Sequence, residues 1–164
     1  MPPMEGLGAA ASILQVADIG FEVGIALFKY ARKVAYAEKQ LKELGDQVEA
    51  NATCLKTVGT LLDDPETRAL HTAKLYDDTR AVSRGCKEVF YELDKTISKL
   101  DDGGSKLSVG AKLQWPLYSR KLADLLKVLK NYNDVLHLML AVLQILEGRR
   151  VAYVHSRSSA YMTY

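Results

Sequence analysis

Residues 7–31 read LGAAASILQVADIGFEVGIALFKYA, and only Asp18, Glu22 and Lys29 carry a charge in this stretch. An apolar helix of about 20 residues is long enough to cross a bilayer. The two acidic residues near the middle disfavour a permanent membrane span, because a carboxylate in lipid is strongly destabilising. The segment therefore predicts a hydrophobic helix over residues 7–31 that is buried at rest and released conditionally.

The next two segments have the apolar periodicity of amphipathic helices. One spans residues 38–62, and the boundary with the first helix stays open because no strong helix breaker lies between Gly24 and Gly45. A third helix is predicted to begin at Asp64-Pro65, since a capping acid followed by proline is typical of a helix start. The expected buried seams are Leu41, Leu44, Val48, Leu55, Val58 and Leu62, then Leu75, Thr79, Val82, Cys86, Val89, Leu93, Ile97 and Leu100.

The strongest apolar stripe lies in the last helical segment. It is predicted to start at Trp115-Pro116 and to end near Gly148. Its stripe consists of Leu122, Leu125, Leu126, Leu129, Tyr132, Leu136, Leu140, Leu143 and Leu146. The residues that follow are rich in Ser and Tyr with little periodicity, so 149–164 is predicted to be a flexible tail or a linker.

Composition and pattern together predict an all-α protein. Apolar residues make up 48% of the chain, with only four prolines and eleven glycines, too few for a turn-rich β protein. No segment shows the alternation of a strand. We expect an up-and-down four-helix bundle over residues 1–148, with Leu107–Trp115 as a candidate short fifth helix before the last long one.

The sequence offers no set of residues for catalysis, for a cofactor or for a metal. The three histidines, His71, His137 and His155, lie on different segments and have no partners at metal-ligand spacing. No phosphate loop or nucleophile motif is present. With a pI near 8.4 and charges of both signs interleaved, nucleic-acid binding is not expected either. We therefore predict that the protein is not an enzyme.

Charge and cysteine usage bear on location and partners. Residues 106–150 hold eight Lys/Arg against three Asp/Glu, whereas 41–65 hold two against five. This asymmetry fits either an anionic partner surface or simple solvation of the outer helix faces. Cys54 and Cys86 are too few for a disulfide framework, and the acidic N-terminal residues do not form a signal peptide. We therefore expect a cytoplasmic protein.

Small residues recur one helical turn apart in the first helix. Gly20 and Gly24 form one such pair, and Gly8 and Ser12 form another. Small residues at this spacing allow close helix approach, either inside the bundle or between copies of the helix after its release. Asp18 and Glu22 share one face as an acidic i,i+4 pair, which favours solvent or a wet oligomer interior on that side.

Three stretches carry a resemblance to a known family. They are Gly8 to Gln15 (GAAASILQ), Ala17 to Gly20 (ADIG) and Leu113 to Pro116 (LQWP) before a Leu-rich helix. Together with the order of the helices they resemble the fungal HeLo-like N-terminal domains of NACHT-type STAND (NLR-like) receptors. The resemblance covers about residues 6–148, and a nucleotide-binding module is not part of this sequence.

The resemblance implies an effector domain of programmed cell death, innate immunity or heterokaryon incompatibility. In such domains the N-terminal helix leaves the bundle, inserts into the plasma membrane and permeabilises it. The implied partners are further copies of the chain, anionic membrane lipids and an upstream NLR-like receptor. The protein would then move from the cytoplasm to the plasma membrane on activation.

The resemblance also nominates residues. The membrane-insertion candidates are Leu7, Ile13, Leu14, Val16, Ile19, Phe21, Val23, Ile25, Leu27 and Phe28. Lys29, Arg32 and Lys33 follow them and are expected to contact acidic lipid head groups. The alternative function is a soluble oligomerisation or adaptor bundle that signals through exposed helix faces without membrane activity.

Overall fold

The computed structural model describes residues 3–101 and 109–161, with side chains described for 8–101 and 113–159. Its elements are α1 (Pro3–Lys33), α2 (Glu38–Asp63), a short 3₁₀ helix (Arg68–Leu70), α3 (Ala73–Asp101) and α4 (Val109–Tyr161). No strand occurs within these residues. The protein is therefore all-α, as predicted, and its four long helices form a bundle.

A four-residue turn separates α1 from α2 and settles the boundary that the sequence left open. The turn contains neither glycine nor proline. It is held by i→i+3 hydrogen bonds, in which the Ala37 N–H donates to the Val34 carbonyl at 3.1 Å. Val34 and Ala37 are both buried. The turn is thus stabilised by apolar side chains that cover the end of the core. Local residue preferences do not predict it.

The expected start of the third helix at Asp64-Pro65 is wrong, because α3 begins only at Ala73. The Asp64 carboxylate accepts a hydrogen bond from the backbone N–H of Glu66 at 3.0 Å, which closes a turn and not a helix cap. The cap is Thr72, whose Oγ1 accepts the N–H of Leu75 at 3.2 Å. The proline therefore marks the end of α2.

The last helix is longer than predicted at both ends. Residues 109–115 belong to α4, so the candidate fifth helix is not separate over that range, and Leu107 lies outside the described residues. Pro116 is inside the helix, where it lacks the N–H that would bond one turn back. Gly148 does not end the helix, which continues to Tyr161 and is exposed at every residue from Val151 to Ser159.

The helices alternate in direction, but the second and third are not close neighbours. The Tyr30 hydroxyl donates a hydrogen bond to the Leu100 carbonyl, so the C-terminal ends of α1 and α3 lie side by side and these two helices run parallel. The Gln40 side chain donates a hydrogen bond to the Ser119 carbonyl, and Glu43 forms an ion pair with Lys130 further along both helices. α2 and α4 therefore also run parallel. α1 thus packs on α2 and α3 and lies diagonally opposite α4, and the connection from α2 to α3 crosses the other diagonal.

The core consists of the predicted seams and a few side chains beyond them. All six predicted α2 positions are buried, as are Leu122, Leu129, Leu136 and Leu143 of α4. Phe90 of α3 is also fully buried, next to Gly20 of α1. A Cβ atom on Gly20 would lie 2.8 Å from both the Phe90 ring and the Ala52 methyl. The glycine therefore creates the recess that the Phe90 ring fills.

The charge asymmetry of the sequence is used between helices. Basic residues of α4 pair with acidic residues elsewhere in the bundle: Lys130 with Glu43 of α2 at 3.1 Å, Lys121 with Glu92 of α3 at 2.8 Å, and Arg150 with Glu66 of the connection between α2 and α3. All three pairs are partly exposed, so solvent screening keeps the stabilisation from each of them small. Their main effect is to align α4 along its neighbours.

We expect opposite effects of alanine at the two glycines of α1. Gly20→Ala should destabilise the bundle by about 1–3 kcal/mol, because the methyl overpacks the Phe90 recess. Gly24→Ala should stabilise it by about 0.5–1 kcal/mol, because the nearest side-chain atom, Cγ1 of Val48, is an ordinary 3.8 Å away. Urea unfolding of both variants measures the difference, and equal effects at the two sites would contradict the packing described.

Candidate functional site

The inner face of α1 completes the core. Of the predicted insertion residues, Ile13, Val16, Val23 and Leu27 are buried, with at most 4% of their surface exposed. Leu14, Ile19, Phe21 and Phe28 are half-buried, Ile25 is 56% exposed, and the side chain of Leu7 lies outside the described residues. The predicted set is therefore spread around the helix.

The outer face of α1 carries charged residues and one large apolar residue. Asp18 and Glu22, the predicted acidic pair, are exposed there, and Lys29 lies further along the same side. Ile25 is the large apolar residue on the described part of this face. At rest both acidic side chains are therefore exposed to solvent.

The two small-residue pairs lie in different surroundings. Gly20 and Gly24 are buried against α2, so in this state both contribute to packing within the bundle. Gly8 and Ser12 are exposed, and no atom lies within 4 Å of a Cβ built on Gly8. The first pair is therefore packed inside the bundle, whereas the second pair lies on its surface.

Close approach at glycine also occurs on α2. The Leu14 side chain lies against Gly59, where a Cβ would be only 2.9 Å from its Cδ2 atom, and the Phe28 ring lies 3.0 Å from the same position on Gly45. Phe28, Gly20 and Leu14 thus mark three levels at which α1 interlocks with its neighbours. Detaching α1 requires all three contacts to open together.

The three basic residues predicted to contact lipid are close together in the structure. Lys29, Arg32 and Lys33 line a groove of about 460 Å³ between the ends of α1 and α3, which Asp94 and Asp101 also line. Lys33 Nζ lies 3.2 Å from Asp101 Oδ1, and all three basic side chains are exposed. The groove is therefore cationic overall, with one cation partly neutralised.

Tyr30 fastens this end of α1 to α3, a role the sequence does not indicate. Its hydroxyl donates to the backbone carbonyl of Leu100 at 3.3 Å, and only 4% of the residue is exposed. Burial raises the pKa of Tyr30 to about 12, with smaller contributions from Tyr36 and Asp101. The phenol is consequently protonated and able to donate throughout the physiological pH range.

The structure brings Cys54 and His137 together, which the sequence did not predict. Cys54 Sγ lies 3.7 Å from His137 Nε2, and His137 Nδ1 donates to the Asn133 carbonyl at 2.8 Å. The pair borders a shallow depression that Asp46 and Glu49 also line. Burial raises the pKa of Cys54, so the thiol is protonated at neutral pH and this contact is not an activated nucleophile.

A second unpredicted feature is an apolar strip on the outside of α4. Leu138 is 67% exposed and Ile145 57%, and Val135 and Val142 are each about 40% exposed. These residues alternate with the buried leucine stripe, so α4 is apolar on two opposite sides. The sequence analysis identified only the buried leucine stripe, because the exposed apolar residues lie in the same apolar segment of the chain.

Comparisons with protein-family models, with curated proteins and with solved structures find no match to this chain. Within the described residues, Gly8–Lys33 is the one helical segment whose length and mean hydropathy, 1.6, suit a membrane span. The described residues also contain no group of three or more His, Cys, Asp or Glu side chains placed to hold a metal ion. The HeLo-like resemblance accordingly stays a prediction.

We expect the two cysteines to differ in their reaction with a thiol reagent. Cys54 lies at the rim of a depression and is 7% exposed, whereas Cys86 is fully buried, which raises its pKa to about 12. Cys54 should be modified first, and Cys86 only as fast as the bundle unfolds. Labelling of the Cys54→Ala and Cys86→Ala variants with and without urea measures both rates. Modification of Cys86 at the same rate as Cys54 in the native state would contradict the burial.

Proposed function

We propose that this chain is a signalling effector bundle that oligomerises, releases α1 and inserts it into anionic membranes. The supporting observation is the double character of α1. Its Gly8–Lys33 segment has the length and composition of a membrane span, yet at rest its apolar inner face is packed in the bundle. The resemblance to HeLo-like domains implies a role for this behaviour in cell-death and innate-immunity signalling.

The helix arrangement supports release of α1 without loss of the remaining bundle. α1 contacts α2 and α3, while α4 contacts both of those helices from the opposite corner. When α1 leaves, the pairs Lys130–Glu43 and Lys121–Glu92 still join α4 to α2 and to α3. After α1 leaves, α4 would thus keep its contacts with both α2 and α3.

The free energy of release has to be offset by a new apolar environment. Ile13, Val16, Val23 and Leu27 are buried at rest, and full burial of such a side chain is worth about 1.5–3 kcal/mol. Solvent cannot supply this, but the hydrocarbon core of a bilayer can. Residues 8–28 form about 30 Å of helix, which matches the thickness of that core.

This register positions the polar residues of α1 consistently. With residues 8–28 in the hydrocarbon, Lys29, Arg32 and Lys33 would lie at the head-group level, where each basic residue contributes about 1 kcal/mol of attraction to anionic lipid. Asp18 and Glu22 would lie near mid-bilayer, where carboxylates need a wet interior. An oligomer of α1 helices in which these carboxylates face a shared interior would supply that environment.

A disulfide between α1 and α2 should prevent membrane permeabilisation. The position of a Cβ on Gly24 is 3.8 Å from Cγ1 of Val48, so side chains at these two positions are in contact across the α1–α2 interface. We therefore choose Gly24→Cys/Val48→Cys as the cross-linking variant. With Cys54 and Cys86 replaced by alanine, the oxidised protein should not release dye from anionic liposomes, and reduction should restore release. Circular dichroism before and after reduction checks that the bundle is folded.

The reduced form of the same protein is the matched control, and the cysteine-free parent under oxidising conditions is the second. Leakage by the fully oxidised form at the rate of the reduced form would show that α1 need not leave. Absence of leakage from the parent, even when it is fused to an oligomerising partner, would contradict membrane insertion altogether.

Charge reversal at the groove should weaken binding to anionic vesicles. The Lys29→Glu/Arg32→Glu/Lys33→Glu variant should bind phosphatidylserine vesicles at least about tenfold more weakly, because three head-group attractions become repulsions. The matched control is Arg84→Glu/Arg120→Glu/Lys127→Glu, which changes the net charge equally at exposed positions elsewhere. Co-sedimentation with vesicles measures both. Equal loss in the two variants would indicate dependence on net charge alone.

The second candidate function is a soluble adaptor bundle in which α1 never leaves. It is favoured by the interlocking of α1, since Gly20 accommodates the Phe90 ring and Leu14 lies against Gly59. A core helix of a soluble protein can have the same apolar composition as a membrane span. A defined oligomer that ignores liposomes in the leakage experiment would establish this function in place of the first.

A further inference from the structure

The outer surface of α4 carries an uncovered apolar strip, which we define as Val135, Leu138, Val142 and Ile145. It lies opposite the buried residues Leu122, Leu129, Leu136 and Leu143 of the same helix. From Val135 to Leu146 the chain has twelve residues without Asp, Glu, Lys or Arg. The outer face of a helix that contacts only water usually carries charged residues. The lack of charge here indicates that this side of α4 binds another apolar surface.

The strip has the spacing of a helix–helix seam. Its members are separated by three, four and three residues, the pattern of a and d positions in a coiled coil. Val128 and Asn131 extend the same pattern one heptad towards the start of the helix, and Val128 is 39% exposed. The favoured occupant is therefore another helix lying along α4.

The charges at the two ends of the strip identify that helix as a second copy of α4. Asp134 precedes the strip and Arg149 follows it, and both are exposed. Neither forms an ion pair with another residue in the described part of the chain, whereas the neighbouring Arg150 pairs with Glu66. A strip that ends in one anion and one cation is complementary to itself when turned through 180°.

We propose that two copies of the chain pair antiparallel through this α4 strip, about a two-fold axis midway between Leu138 and Val142. Leu138 then faces the second copy's Val142, and Val135 faces its Ile145. Each Arg149 lies opposite Asn131 and within reach of Asp134 of the other copy. A parallel pairing would instead bring Arg149 against Arg149, which is repulsive.

The pairing is independent of membrane insertion. α4 lies diagonally opposite α1, so its outer side points away from the helix proposed to leave. The dimer should form in solution without lipid. It should also form when the disulfide of the Gly24→Cys/Val48→Cys variant holds α1 in the bundle. Failure of the leakage experiment therefore leaves this inference standing, and a monomer in solution leaves the leakage result standing.

Sedimentation velocity over a concentration series tests the dimer. Ile145→Glu should weaken it by about a hundredfold, because each substitution acts twice in a symmetric pair and each occurrence is expected to weaken pairing about tenfold. Ile25→Glu is the matched control, since Ile25 on α1 is 56% exposed against 57% for Ile145; it should leave the dimer unchanged. Both substitutions are at exposed positions, and thermal unfolding checks that the fold is kept.

A charge exchange tests the orientation. Arg149→Glu and Asp134→Arg should each weaken the dimer, and the double variant should restore it, because the antiparallel pairing re-forms the ion pair with signs reversed. A wild-type protein that stays monomeric at every concentration overturns the proposal. So does a dimer that Ile145→Glu leaves intact, or one in which the double variant shows no recovery.

Discussion

Close approach of α1 to its neighbours is the constraint on which the structure depends. The Phe90 ring fits over Gly20 at a distance that excludes even a methyl group, and the Ala52 methyl closes the recess from α2. Leu14 against Gly59 and Phe28 against Gly45 repeat the arrangement above and below. These contacts set the spacing of α1 from α2 and α3, and α4 is then held from the far side by its leucines and by ion pairs to both.

This constraint gives α1 two properties that pull in opposite directions. Glycines at the contact points make the packing tight, which favours the resting bundle. The same glycines leave a narrow apolar helix that can pack equally well against copies of itself once it is free. The resting state is favoured by the buried inner face, and a membrane-inserted state would be favoured by lipid around that same face. In the proposed switch, the balance between the two states would depend on the difference between the burial of this face in the bundle and its burial in lipid.

Much of this architecture follows from the sequence, since helical periodicity reports which residues face a core. All six predicted seam positions of α2 are buried, and so are six of the eight predicted for α3, including the polar Thr79 and the small Cys86. Leu75 and Val82 are half-buried. The boundaries were predicted less well because they depend on tertiary contacts. Pro65 closes a turn after α2, while Thr72, seven residues later, caps α3. Gly148 continues the helix, since glycine destabilises a helix interior by only about 1 kcal/mol.

The candidate sites divide in the same way. Lys29, Arg32 and Lys33 were predicted from their position after an apolar segment, and the structure places them around one groove. Neither the Tyr30 contact with Leu100 nor the Cys54–His137 contact could be predicted, because each joins residues more than 65 positions apart. The outer strip of α4 was hidden for a different reason. Periodicity identifies one apolar face most readily where the other faces are polar, and a helix apolar on two sides gives no such contrast.

The positions of α1 and α4 at opposite corners have a further consequence for any switching mechanism. Departure of α1 would uncover Phe90, Ala52 and their neighbours on α2 and α3, on the side away from the α4 strip. A dimer joined through α4 would therefore carry two newly exposed apolar surfaces facing outwards, in opposite directions. These two surfaces cannot pack against each other within the dimer, so each would bind a further copy of the chain or lipid. Pairing through α4 and release of α1 are thus separate events in space, yet together they would convert a dimer into a larger assembly.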